Sequence, residues 1–288
     1  MGTGTPPRIP ALLSPDMQMS IDTAKSGCRP ANSLIINADD WGRDVDTTDR
    51  ILECVVAGTV SSASAMVFMV DSHRAAHLAR ERRVDCGLHL NFTTPFSTRD
   101  CPSRLREHQA RVLRYLRRNR LAQTVYHPGL ASSFKYVVAA QMEEFERIFG
   151  GKPRRIDGHH HMHLCANVLL GRLLPHGTIA RRNFSFRPSD KGWINRLYRG
   201  AIDCLLATRH HLTDYFFALP PLEAVGRIDE IVSIARRAIV EVETHPVNPE
   251  EYRFLVSGEV VGRIRDLEIA HGFPDPVKIR EAVSSKLC

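Results

Sequence analysis

No stretch of the sequence stays apolar long enough to cross a membrane. The longest such run, around SASAMVFMV, is about half of what a span requires. The first 32 residues hold no apolar core of about 7–15 residues, which argues against a secretory signal. The opening MGTGTP starts like a myristoylation signal but carries Pro6 where Ser or Thr is needed. Paired cysteines are missing too. Cys28, Cys54, Cys86, Cys101, Cys165, Cys204 and Cys288 are odd in number, scattered and never spaced C-x-x-C. That pattern suits reduced thiols in a cytoplasmic protein better than a disulfide framework. Internal repeats, low-complexity tracts, a second domain boundary and nucleic-acid-binding motifs are also absent, so a single domain is expected and nucleic acid is not an expected partner.

What is present is ordinary globular composition, 43% hydrophobic and 25% charged over 288 residues. A chain of this length buries a sizeable core without cross-links. The net charge of +7 permits an anionic partner without demanding one. Residues 1–32 read as a disordered extension, within which Met17 or Met19 would serve as a later start. Residues 33–288 read as the folded domain.

From Ser33 the pattern alternates. SLIIN (33–37) is a buried strand running into Asn37-Ala38-Asp39-Asp40, after which Gly42 lets the backbone turn. A helix over 47–57 closes at Gly58. A strand follows at 61–70, a helix at 72–82 and a strand at 84–92. This rhythm predicts an α/β protein, a parallel sheet or barrel, with functional groups at the C-terminal ends of its strands. Residues 93–132 interrupt it. A loop with Pro95 and Pro102 leads into RLREHQARVLRYLRRNRL, a basic amphipathic helix with seven arginines over 104–120 and a narrow stripe of Val112, Leu113 and Leu116. It reads either as a solvated face packed through one stripe or as a contact for an anionic surface or substrate. Regularity then returns: a helix at 135–150, a strand at 154–157, a helix over 164–173, a strand at 183–188, helices at 192–208 and 221–237, the latter interrupted at Gly226, a strand at 238–246, and a mainly helical remainder.

Four predicted strand ends carry titratable groups: Asp39-Asp40, His89, the segment Asp157–His163, and His245. In RIDGHHHMHL, His159 and His161 share a side if the chain stays extended, whereas His159 and His163 share a face if a helix has begun. His159 is common to both. His160, His161 and His163 are open to substrate contact, ligand support or structure, and His161 is assigned to substrate. Of two adjacent aspartates beside a cation, one can ligate while the other stays free as a base. One Asp and two His would leave open positions for water and substrate, as amide or ester hydrolysis requires.

The segments LIINADDWG, VSSASAMV, CGLHLNFT, RIDGHHHMH and VETHP resemble, in order and spacing, the successive motifs of the YdjC-like carbohydrate deacetylases. The resemblance covers about residues 33–250. It implies a single-domain distorted (β/α) barrel with mainly parallel strands, related to polysaccharide deacetylases. It also implies one divalent metal ion held by Asp40, His89 and His159, with Asp39 as general base and His245 as general acid. Arg187 in FRP matches a family arginine loosely and would touch substrate or oxyanion. Two departures stand out: Trp41 where Phe is usual, expected to alter the pocket's shape, and Val247 where Gly usually follows HP.

The function expected is therefore metal-dependent removal of an acetyl group from an N-acetylated amino sugar, chitooligosaccharide-like or glycolipid-linked, by a protein compatible with a homodimer. The ligand types favour zinc or another transition metal, and the resemblance leaves Mg2+ open. The alternatives are a metal-dependent phosphoesterase and a non-enzymatic anion-binding protein.

Overall fold

A computed structural model of the chain describes residues 33–119, 121–186, 192–220, 222, 224, 226–264, 267 and 269–275. The disordered extension expected at 1–32 lies outside the described residues. Among the described residues, seven strands form one sheet: β1 (Ser33–Trp41), β2 (Ser62–Ala65), β3 (Asp85–Leu90), β4 (Arg155–Gly158), β5 (Ile179–Ala180), β6 (Tyr215–Ala218) and β7 (Ile239–Thr244). All neighbours are parallel, in the order β5-β4-β3-β2-β1-β7-β6. The edges approach each other. Ile179 makes an isolated parallel bridge to His211, and the Ser185 N–H donates to the Phe216 carbonyl at 2.7 Å. The result is a distorted (β/α) barrel, as expected.

The helices that surround it are α1 (Val45–Val56), α2 (Ser72–Arg82), α3 (Ser103–Leu116), α4 (Ala131–Phe149), α5 (Ala166–Leu170), α6 (Trp193–Ala207), α7 (Arg227–Ala235), α8 (Pro249–Val256) and α9 (Glu259–Ile264). Local chemistry sets their ends. The Asp44 side chain accepts from the Thr47 N–H to open α1, and Asn248 followed by Pro249 opens α8. Gly150 closes α4 at φ 83°.

Strand alternation sorts the side chains into two environments. Ile36, Ala38, Ala63, Ala65, Leu88, Leu90, Ile156, Val240 and Val242 belong to the apolar core shared with the helices. The alternate positions are largely polar yet buried: Asn37 and Asp39, Ser62 and Ser64, His89, Arg155 and Asp157, Glu241 and Glu243. A small apolar cluster of Ile35, Ile179 and Ile239, with Phe273 packed against it, lies near the strand starts. Between that cluster and the strand ends sits a layer of buried charge.

Several expectations need correction. NFSFRP (183–188) is not a strand over its described part, despite its period-two pattern. Phe184 stacks on Phe216 with ring centroids 4.5 Å apart, and the Asn183 N–H donates to Asp203 rather than to a ladder. The strand nearby is the two-residue β5, and the short β6 carried too weak a pattern to be anticipated. β2 ends at Ala65, short of residue 70, where Phe68 turns at φ 59°. The helix expected over 164–173 shrinks to Ala166–Leu170, because Leu164 belongs to a preceding 3₁₀ turn and Arg172 takes φ 50°. Trp41 is fully buried in the core, its indole N–H donating to the Ala75 carbonyl at 3.0 Å, so it sets the packing of α2 rather than a pocket wall.

Candidate active site

β1 delivers both aspartates to one place by breaking its own register. It pairs Ala38 with Ala63 but Trp41 with Ala65, so one extra residue bulges between them, and Asp40 takes φ 70°. Consecutive residues of a regular strand point to opposite faces; the bulge re-aims Asp40 so that it and Asp39 face the same interior. Asp tolerates this left-handed conformation better than most residues.

His89 arrives from the end of β3, and His159 from the turn after β4. Asp40 Oδ1 lies 2.9 Å from His159 Nδ1 and 3.3 Å from His89 Nε2. Asp40 Oδ2 accepts from Arg43 at 2.8 Å. The His89 Nδ1–H donates to Asp157 Oδ1 at 2.7 Å, which turns Nε2 toward Asp40. Among the described residues, neither Asp40 Oδ1 nor His89 Nε2, both buried, has a hydrogen-bond partner. A cation among these three atoms would satisfy both, and one ligand atom from each of Asp40, His89 and His159 falls within a span that a single ion could occupy. The donor set, two imidazoles and a carboxylate with a carboxylate behind one imidazole, suits a divalent transition metal.

The field around the three atoms attracts positive charge. Burial works against a charged His89, but Asp39, Asp157 and Asp40 outweigh it and raise its pKa to about 10. Burial also opposes ionisation of Asp40, and the His159 and His89 imidazoles beside it nonetheless hold its carboxyl well below the usual range.

Asp39 is ionised for a different reason. Burial again disfavours charge, yet Arg181 and His89 hold its pKa down. Arg181 donates to both Asp39 oxygens at 2.7 Å, and Asn37 donates to Oδ1 at 2.8 Å. The same fully buried guanidinium reaches Glu241 at 2.7 Å, Glu243 at 3.1 Å and Asp157 at 3.2 Å. Arg155 lies alongside, donating to Asp157 at 2.7 Å and to Ser64 at 2.8 Å. A Cβ on Gly87 would come within 2.7 Å of Arg155 Cζ, so glycine makes the room. Arg181, Arg155, Glu241 and Glu243 were not singled out from the sequence. The signal was there in SASA, RID and VEVET, where polar or charged residues alternate within buried strands.

The histidine run follows neither path expected of it. His159–Leu164 forms a 3₁₀ turn kinked at His160 and His161, with φ of 55° and 57°. Left-handed backbone costs about 1–2 kcal/mol per non-glycine residue. The kink sends each imidazole elsewhere. His159 faces Asp40, and His160 Nδ1 lies 2.9 Å from Thr93 Oγ1. His161 sits edge-on to Phe184 with Nε2 3.6 Å from Glu243. The His163 Nε2–H donates to the Arg181 carbonyl at 2.9 Å, so His163 is structural.

His245, at the end of β7, is partly exposed, with Nε2 4.0 Å from Asp39 Oδ2. Val247 in place of glycine does not disturb it: residues 245–248 form a turn closed by the Asn248 N–H on the His245 carbonyl, and Val247 keeps negative φ. Arg187 lies outside the described residues. A cavity of about 600 Å3 opens beside the histidines, lined among others by Leu121, Thr124, His160, His161, Phe184 and Tyr198. The 93–132 segment and α6 thus both border the site.

The family model described as "YdjC-like protein" matches residues 33–257. The chain belongs to the YdjC-like family. Among curated relatives, a carbohydrate deacetylase of Mus musculus is 29% identical over 145 residues, 48% of this chain and 45% of that protein. A chitooligosaccharide deacetylase of Yersinia pestis (strain Pestoides F) is 32% identical over 138 residues, 47% of this chain and 52% of that protein. The YdjC-like chain thus spans about half the length of the curated relatives it matches. A solved structure from Enterococcus faecalis V583, named for a proposed role in cellobiose-phosphate cleavage, shares the fold at a TM-score of 0.59 and 18% identity, covering 86% of this chain and 98% of that one.

Proposed function

We propose that this YdjC-like protein is a metal-dependent hydrolase that removes the acetyl group from an N-acetylated amino sugar, chitooligosaccharide-like or lipid-linked. The observation that carries the reading is the pair of orphaned buried atoms, Asp40 Oδ1 and His89 Nε2, beside His159 Nδ1. The names of the curated relatives support the substrate class. Asp40, His89 and His159 would hold the ion, Mg2+, Zn2+ or another divalent transition metal. When bound, it would polarise the acetyl carbonyl and lower the pKa of a water.

The chain's own groups do the rest. Asp39 takes the proton of the attacking water. Arg181 and Asn37 together fill Oδ1, whereas among the described residues Oδ2 accepts only from Arg181 and keeps a further lone pair for the water. Arg181 keeps Asp39 ionised and fixes its plane. His245, partly exposed and with Nε2 4.0 Å from Asp39 Oδ2, gives a proton to the departing amine. His161 contacts the sugar, its ring held by Phe184 and Glu243, and Arg187 is retained as a second substrate contact on the family resemblance. The free thiols of Cys54, Cys86, Cys101, Cys165 and Cys204 fit a cytoplasmic setting.

The test is metal analysis of the purified protein coupled to acetate release from chitobiose, longer chitooligosaccharides and glycolipid acetamides. One equivalent of a divalent metal and turnover of an acetamido sugar are expected. His89→Ala should lose metal and at least about 10²–10³-fold in rate, the loss typical of one oxyanion donor. A variant that keeps both metal and rate overturns the ligand set, and turnover of aryl phosphates alone overturns the reaction.

A further inference from the structure

Among the described residues, helix α6 is packed on one side only. Leu206 is its one fully buried residue, with Ile202 and Asp203 half-buried near it. On the opposite side stand Trp193, Ile194, Leu197, Tyr198 and Leu205, with exposures of 72%, 65%, 67%, 44% and 41%. Their spacing of one, three, one and seven residues places them along a single stripe of the helix. Large apolar side chains of a lone domain seldom gather in the open this way.

The stripe continues across the mouth of the cavity. Tyr198 and Leu121 line the same opening, and Leu121, Val125 and Tyr126 are exposed by 71%, 56% and 38%. The charge around this surface has one sign. Residues 103–130 carry seven arginines against a single acid, Glu107. Arg114, Arg117 and Arg118, in and just after the last turn of α3, are exposed. On α6 itself Arg196 is exposed, and the one acid, Asp203, is held by Arg182 at 2.9 Å. An apolar stripe that begins in tryptophan and is bordered by unopposed arginines is the chemistry of a helix lying in a lipid headgroup region.

We propose that α6 and the 121–126 turn dock this protein on an anionic phospholipid bilayer, with the arginines at the end of α3 on the headgroups and the mouth of the candidate active site facing the surface. The charge selects a bilayer over a second copy of the chain, because a symmetric contact through this face would set the same arginines against one another. The proposal goes beyond the deacetylase reading and does not need it.

The test uses the full chain and vesicles of phosphatidylcholine with or without phosphatidylglycerol, by co-sedimentation and tryptophan emission. Of the two tryptophans, Trp41 is fully buried and Trp193 is 72% exposed, so a shift in emission reports Trp193. Binding with a blue shift is expected on vesicles containing phosphatidylglycerol, weakened by salt and at least tenfold weaker on phosphatidylcholine alone. Ile194→Glu with Leu197→Glu should abolish the blue shift, and Arg114→Glu with Arg117→Glu and Arg118→Glu should weaken binding about tenfold or more. Both sets lie on the surface, and unchanged circular dichroism verifies folding. No binding by the wild-type chain, binding that ignores both variants, or a concentration-dependent dimer that Leu197→Glu dissolves without any vesicle binding would each overturn the proposal.

Discussion

Asp157 shows how one buried side chain governs another's chemistry. Its Oδ1 takes the His89 Nδ1–H while Arg155 and Arg181 engage Oδ2, so the ring presents Nε2 toward Asp40. An amide at this position can offer an N–H where His89 needs an acceptor, and it removes a negative charge that the two arginines balance. Asp157→Asn should keep the fold yet weaken metal affinity about 10–100-fold, the range seen when such supporting carboxylates are lost. Competition with a chromogenic chelator measures it. Affinity equal to wild type would mean that His89 is oriented by the backbone of β3 alone.

At the scale of elements, two local irregularities make the site: the bulge in β1 and the kinked turn after β4. Gly158 joins β4 to that turn, and a Cβ there would lie 2.9 Å from the His163 N and 3.1 Å from its Cβ. These are backbone and near-backbone atoms, which cannot swing away. Gly158→Ala should therefore displace the turn and destabilise the protein by about 1–3 kcal/mol, the cost of forcing atoms into a packed site. Denaturant unfolding gives the stability, and a parallel metal titration should show His159 ligation lost with it. A variant as stable as wild type would show that the turn has slack.

At the scale of the whole molecule, the barrel interior is unusual in being charged through its middle. Such a layer is expensive to desolvate and gives little net stability, but removing one partner leaves others unpaired. It also ties global stability to pH. His163 lies fully inside; burial disfavours its charged form, and its pKa falls to about 4. Between pH 6.5 and about 4 the unfolded chain binds a proton here that the native chain does not. Stability from this group is complete above pH 6.5 and declines as the pH falls toward 4, by on the order of 3 kcal/mol in all. Chemical unfolding of the metal-free protein at pH 7 and pH 5 should show the decline, and His163→Gln should flatten it. An unchanged slope in that variant would move the effect to other groups.

Much of this is legible in the amino-acid sequence. The strand–helix rhythm, the polar ends of β1, β3, β4 and β7, and the histidine run are local patterns, written in residues a few positions apart. They point to a parallel α/β sheet or barrel with polar strand ends, while the distorted barrel, the ligand set and the roles of Asp39 and His245 come from the family resemblance. The rest depended on contacts across tens to hundreds of positions. Arg181 meets Asp39 from 142 residues away, and sequence spacing carries no record of such a pairing. Period-two patterning placed NFSF in a strand, but the ring of Phe216 claimed Phe184 instead. The sequence by itself determined which residues could bind a cation and roughly where along the strands they stand. Tertiary structure alone decided that the β1 bulge turns both aspartates inward and that two buried arginines tie the interior carboxylates together, because each depends on charges and close packing that exist only once the sheet has curled.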